Sequence, residues 1–178
     1  MIDTKEQTAL RAETTTTPIK VKKIGHVVYR VSDVERSVRF WTEIMGFKES
    51  DRNDLGMVFL RCQTDHHTVA VVAGKPGSRP MDDEAIGIHH FAMEVDSPET
   101  LFKAREFLKS KGVPISYEGR RGPGSNMGIE FTDPDGYSIE LYYGMEQVGW
   151  DGKSRPAEFH RRAKTLEEAM EVPVPGGP

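Results

Sequence analysis

The 178-residue chain has only one cysteine, Cys62. That excludes an intrachain disulfide framework and fits a reducing compartment. No apolar run approaches the roughly 20 residues of a membrane span, so a membrane partner is not expected. The N-terminal MIDTKEQTALRAETTTTP carries acidic residues and lacks the apolar stretch of a secretory signal. Basic residues do not dominate either. Against 28 Asp and Glu stand 24 Lys and Arg, a formal net charge of −4, without the electrostatic footprint of a nucleic-acid or anionic-membrane binder. There is no GxSxG, no phosphate-binding glycine loop and no CxxC. A cytoplasmic, soluble protein is the default, and the length suits one ordinary domain or two very small ones.

What is present is order. Residues 1–20 are polar and threonine-rich, a flexible segment by composition. From Ile24 the chain reads IGHVVYRV, a strand, then SDVERSVRFWTEIMGF, a helix. Ser32 and Glu35 have capping-box spacing. Val34, Val38, Trp41 and Met45 share one helical face, and Gly46 is placed to end the helix. Strand-like runs follow at Met57 to Cys62 and Thr68 to Ala73, with Cys62 expected as a small core residue. After a linker with Gly74, Pro76, Gly77 and Pro80 the order repeats. GIHHFAMEV is a strand. DSPETLFKAREFLKSKG is a helix capped by Ser97, opened by Pro98 and closed by Gly112, with Leu101, Ala104 and Leu108 as its stripe. Strands are expected around Ile115 to Glu118, Gly128 to Thr132 and Tyr137 to Tyr143. Asp133-Pro134-Asp135-Gly136 makes the last turn.

The chain therefore divides into a segment 1–20, a central region 21–144 with modules 23–75 and 86–144, and a tail 145–178 with an amphipathic stretch from Ala157 to Glu171. A module this small has little core of its own, and pairing two sheets is the natural solution.

His26 and His90 open the equivalent strand of each module. Side chains alternate across a strand, so His26, Val28 and Arg30 share one face and Val27, Tyr29 and Val31 the other. In the second module His90, Ala92 and Glu94 oppose Phe91, Met93 and Val95, which favours His90 over His89. In the last strand Glu140 shares the less apolar face with Ser138 and Tyr142, and a mid-strand carboxylate is costly to bury unless paired or bound to metal. A single strand histidine is ordinarily a hydrogen-bonded or half-exposed residue. Two at equivalent positions with a mid-strand glutamate leave structural and metal-binding readings both open. Two imidazoles and a carboxylate suit Fe(II), and also accept Mn(II), Zn(II), Ni(II) or Co(II). By the same parity His67, ahead of TVAVVA, either faces that cavity or is a loop residue. Arg120 and Arg121, beside Gly122-Pro123-Gly124, read as a cationic loop that holds an anionic group or is simply solvated.

GHVVYRVSDVERSVRFWTEIMGF, HHFAMEV and FTDPDGYSIELYY, spanning about Lys23 to Gly144, resemble the vicinal oxygen chelate superfamily of glyoxalases, bleomycin and fosfomycin resistance proteins and extradiol dioxygenases. The resemblance implies an α+β fold of paired βαβββ modules, a mixed β-sheet curled around a metal. CQTDHHTVAVVA followed by IHHFAMEV is most similar to the catalytic half of extradiol ring-cleavage dioxygenases. On that likeness His26, His90 and Glu140 match the metal ligands, the metal is Fe(II), and His67 matches the histidine that handles protons and dioxygen. A catechol-like vicinal diol and dioxygen are the implied substrates, and a homodimer the implied assembly. Where that pattern carries a further histidine and a tyrosine, ungapped counting from Glu140 finds Arg121 and Glu130, which become candidate catalytic residues. Arginine cannot accept a proton as histidine does, whereas glutamate can act as acid or base. The alternatives are a glyoxalase-like lyase or isomerase acting through a metal-bound enediolate, and a small-molecule-binding protein of the resistance type. The former usually has a second carboxylate in the first module, which Thr68 to Ala73 lacks.

Overall fold

The computed structural model describes residues 18–19, 21–79, 86–147 and 156–172. The expected flexible segment 1–20 lies outside these apart from residues 18–19. The first module runs β1 (Val27–Val31), α1 (Val34–Arg39) continuing through a π-helical turn at Phe40–Ile44, β2 (Lys48–Arg52), β3 (Val58–Arg61) and β4 (Val69–Ala73). The second runs β5 (Phe91–Glu94), α2 (Pro98–Ser110), β6 (Ile115–Gly119), β7 (Met127–Thr132) and β8 (Ser138–Tyr143). A short 3-10 turn at Ala157–Phe159 and α3 (Leu166–Glu171) complete the chain. Each module forms a four-stranded mixed sheet, in the orders β1-β4-β3-β2 and β5-β8-β7-β6. The repeat of order in the sequence is thus a repeat of topology. In each module the first strand runs parallel to the fourth and the other pairings are antiparallel.

The expected alternation places the core. Tyr29 and Val31 are buried on β1 while Val28 and Arg30 are exposed. Val38 and Trp41 on the first helix, and Leu101 and Leu108 on α2, join Val58, Leu60, Val69, Ile129, Phe131 and Ile139 in one apolar cluster. Full burial of each such aliphatic or aromatic side chain contributes about 1.5–3 kcal/mol. Ser97 caps α2, with Pro98 in its first turn and Gly112 just beyond it at φ 71°.

Two expectations are corrected and one strand is added. The cap of α1 is Asp33, which accepts from the Arg36 amide at 2.9 Å, and not Ser32. Ser32 is engaged elsewhere: its amide and hydroxyl donate to Asp135 at 3.1 and 2.5 Å. Cys62 is exposed, because it lies one residue past β3 on the turn toward His67, with Sγ 3.4 Å from Thr68 Oγ1. The strand β2, KESDR, was not expected. It is a mostly exposed, charged strand at the sheet edge, a composition that discourages edge-to-edge pairing.

Ser32, Tyr29 and Asp133 also join the modules. Trp41 Nε1 donates to Tyr29 Oη at 2.5 Å, Tyr29 Oη donates to Asp133 at 3.2 Å, and Asp133 Oδ1 accepts from the amides of Asp135 and Tyr137, each at 2.9 Å. Arg36 adds an ion pair to Asp135 at 2.8 Å. The turn that closes the β7–β8 hairpin is therefore the latch between the modules.

The C-terminal segment packs on β6. Arg120 and Ala163 exchange backbone hydrogen bonds at 2.9 and 3.0 Å. The Arg120 side chain is buried and donates to the carbonyls of Arg161, Ala169 and Val172, satisfying the end of α3. Arg120 is thus neither a solvated loop residue nor an anion holder. Gly119 makes the approach feasible, since a Cβ there would lie 2.2 Å from the Ala163 carbonyl oxygen and its φ is +117°. Gly119→Ala is expected to lift this segment, costing about 1–3 kcal/mol through overpacking. Faster hydrogen exchange at the Arg120 and Ala163 amides checks it.

Candidate metal centre

The second sheet gathers three donors by register. β5 runs parallel to β8 with Ala92 opposite Glu140, and β7 runs antiparallel to it with Glu130 opposite Glu140. Directly paired residues share a face, and His90, two positions before Ala92, shares it too. One donor atom each from His90, Glu130 and Glu140 lie within 4.8 Å of one another, with both carboxylates buried. His90 Nε2 is 3.2 Å from Glu140 Oε2, and Asn126 Nδ2 donates to Glu140 Oε1 at 3.1 Å. Arg121 grips Glu130 with both terminal nitrogens, Nη2 to Oε2 at 2.9 Å and Nη1 to Oε1. The same guanidinium stacks on Tyr117, 3.7 Å from its ring centroid. Gly128 leaves room for Glu140: a Cβ there would lie 2.9 Å from Oε1 and 2.7 Å from the Leu141 carbonyl oxygen.

The electrostatics are unfavourable without a cation. Burial raises the Glu140 pKa from its ordinary value, and the charge of Glu130 raises it further, while His90, Arg121 and Asn126 oppose this. Two carboxylates face each other across a ladder, and the one guanidinium bonded there, that of Arg121, pairs with Glu130. A divalent cation relieves that repulsion and desolvation, and one imidazole with two carboxylates suits Mn(II), Fe(II) or Zn(II). The residues present therefore fit a metal ion.

The remaining expected site residues lie in the first module. His26 precedes β1 and stands beside His67, ring centroids 4.4 Å apart. His67 also meets Phe59 at 4.9 Å, and its Nδ1 is 3.1 Å from that of His66. Burial first, then the neighbouring His26 and His66, lower the His67 pKa, which favours the neutral base. The six expected residues are thus divided between the two sheets: His90, Glu140, Glu130 and Arg121 converge, and His26 pairs with His67 outside the three-donor cluster. An open cleft of about 1300 Å³ is lined in part by Tyr29, Phe91, Tyr137, His89 and Glu130. Asn126 and Tyr117 escaped the sequence reading because loop and cross-strand contacts leave no periodic signal. Gly128 had one, since an isolated glycine within a strand pattern marks a close approach.

Paired βαβββ sheets with a buried imidazole–carboxylate cluster define a class of small-molecule metal enzymes and their relatives. Residues 23–141 match the family model of the Glyoxalase/Bleomycin resistance protein/Dioxygenase superfamily, and the chain belongs to it. It is 33% identical over 131 residues to the manganese-dependent 2,3-dihydroxybiphenyl 1,2-dioxygenase of Geobacillus genomosp. 3, covering 72% of this chain and 38% of that protein. It is 35% identical over 127 residues to the probable chloroplastic lactoylglutathione lyase of Arabidopsis thaliana, covering 67% and 35%. The chain thus spans well under half the length of both. The glyoxylase/bleomycin resistance protein/dioxygenase domain of Frankia sp. EAN1pec shares the fold, with a TM-score of 0.60 at 22% identity over 70% of this chain and 99% of that one. Among the described residues no helix is long and apolar enough to cross a membrane.

Proposed function

We propose that this chain is a metal-dependent dioxygenase of the extradiol type, acting on a catechol-like vicinal diol with dioxygen. The observation that carries the reading is the contact of His90 with the buried Glu140 at the junction of β5 and β8, in a chain 33% identical over 131 residues to a dioxygenase. His90 and Glu140 hold the ion, with His26 the third donor implied by the resemblance. Fe(II) is the metal of choice, with Mn(II), Zn(II), Ni(II) and Co(II) as replacements. When bound, such an ion supplies Lewis acidity toward the two diol oxygens and a route for electrons between diol and dioxygen.

The chain's own residues bind the substrate and move its protons. With Nδ1 turned toward His66, His67 Nε2 is the nitrogen that takes a proton from the diol hydroxyl and returns it later. Arg121 stays charged and takes no proton. It holds Glu130 in place and adds positive charge beside an anionic diolate. The proposal includes a homodimeric unit in the reducing cytoplasm.

The test is oxygen uptake by protein loaded anaerobically with Fe(II) or Mn(II), against a panel of catechols. Uptake with a new visible absorbance, lost in His90→Ala, is expected. Metal-loaded protein that consumes no oxygen across the panel defeats the ring-cleavage reading. A second reading then gains ground, a lyase or isomerase working through an enediolate. It is favoured by one observation: the second carboxylate missing from the first module is present in the second, as Glu130 beside Glu140. Conversion of an α-ketoaldehyde–thiol adduct without oxygen would identify it.

A further inference from the structure

Building on the metal-enzyme reading above, we infer that the C-terminal segment walls an anion-binding pocket beside the metal centre, and that the diol substrate carries a carboxylate held there by Arg162 and Lys164.

The segment is fixed in place by the backbone pairing of Arg120 with Ala163 and by the buried Arg120 side chain. Between it and β6 lies a pocket of about 540 Å³, a size ordinary for small-molecule sites. Basic residues dominate its charged lining, Arg120, Arg121, Arg162 and Lys164 against Glu118 and Glu168. The acids are engaged, Glu118 with Arg105 at 3.1 Å and Glu168 with the Lys164 amide at 2.7 Å. Arg120 is engaged as well, by the carbonyls of the segment. Arg162 and Lys164 are exposed, and neither side chain has an ion pair or hydrogen-bond partner among the described residues. Arg162 runs beside Gly122, the residue after Arg121, with Nε 3.6 Å from the position a Cβ would take there. The pocket thus gathers like charges that its own acids leave uncompensated, an arrangement that attracts an anion.

Arg121 joins this pocket to the metal centre. Its two terminal nitrogens bond Glu130, which uses two of its five N–H donors, and its guanidinium is held against the Tyr117 ring. The remaining donors serve an anion in the pocket, so a single side chain separates the two. A ligand that spans it sets its diol at the metal and its anionic group against Arg162 and Lys164. A carboxylate suits the pocket because it takes the planar fork of Arg162 as a bidentate pair, with Lys164 as a point charge. A phosphate dianion suits it less, since Glu118 and Glu168 stand on the same lining.

Calorimetry on the Zn(II)-loaded chain tests this, because a redox-inert ion reads binding without turnover. The probes are dihydrocaffeate (a catechol with a propanoate arm), its methyl ester, catechol itself, and hydrocinnamate, the same acid without the diol. A charge-assisted hydrogen bond is worth about tenfold or more in affinity, so wild type is expected to bind the acid at least about tenfold tighter than the ester. In Arg162→Gln/Lys164→Gln that preference is expected to vanish while catechol affinity stays the same. Lys109→Gln/Lys111→Gln, which removes the same charge at the end of α2, is expected to keep it. Equal affinity for acid and ester in wild type, a preference that survives in Arg162→Gln/Lys164→Gln, or one lost equally in the α2 variant overturns the pocket. Hydrocinnamate that binds as tightly as dihydrocaffeate, and is lost in Arg162→Gln/Lys164→Gln, keeps the pocket and defeats the diol reading. Failure of both acids to bind overturns the pocket and the diol reading together.

Discussion

Replacing Glu140 with glutamine is expected to remove metal binding and turnover together while the fold survives. Glu140 is the donor common to every arrangement at this site: it touches His90, is held by Asn126 and faces Glu130 across the ladder. Glutamine keeps its volume and an oxygen for Asn126 but loses the charge that a divalent ion requires. Since outer-shell substitutions alone cost about 10–100-fold in metal affinity, loss of this ligand is expected to exceed about 100-fold. The metal-free fold should not suffer. Burial disfavours the ionised carboxylate here, so an uncharged amide relieves a penalty. Thermal melts separate the two effects. An ion at 100 times its Kd stabilises the wild-type chain by about 2.7 kcal/mol, and that increment should vanish in the variant. The metal-free melting temperature should be equal or higher. A variant whose melting point still rises with Mn(II) as wild type does would show that Glu140 is not a ligand.

The parts of this site that could be read in the sequence are those set by local periodicity. The alternation of HHFAMEV and SIELYY sufficed to put His90 and Glu140 on one face, because in a strand parity is geometry. The repeated order of strand, helix and strands sufficed for two modules. What escaped depends on register or on distant partners. Glu130 was reached only by counting along the family resemblance: it sits in MGIEFT, where residues on both faces are buried, so no alternation marks it out. Its pairing with Glu140 follows from how β7 and β8 align, and its grip by Arg121 from how β6 lies on β7. Ser32 looked like a cap because its spacing to Glu35 is right, yet Asp135, more than a hundred residues away, claims it. Arg120 and Arg121 looked alike in a glycine-rich context. Strand alternation separates them, sending Arg120 to the C-terminal segment and Arg121 to Glu130.

Asp133→Ala is expected to unlatch the modules, destabilising the chain by about 3 kcal/mol or more, since three donors lose their acceptor and buried unsatisfied groups cost about 1–3 kcal/mol each. Those donors are Tyr29 Oη and the amides of Asp135 and Tyr137. The damage should spread, because Tyr29 Oη also receives Trp41 Nε1 and Asp135 holds Ser32 and Arg36. Asp133→Asn is the informative contrast, as it preserves the oxygen that accepts both amides. Burial raises the Asp133 pKa above its ordinary value of 3.8, against the hydrogen bonds that lower it. An acid with a raised folded-state pKa contributes stability that is fully present below its unfolded value and lost as pH rises through the folded one. The asparagine variant has no such dependence. Relative to Asp133→Asn, wild type should therefore be most stable in acid and lose that advantage as pH climbs past the raised pKa. Urea melts of wild type, Asp133→Ala and Asp133→Asn between pH 3 and 7 measure this. An alanine variant as stable as wild type would show that the latch carries no load. A wild-type advantage that grows with pH would show that the carboxylate, not the neutral acid, is the form the fold prefers.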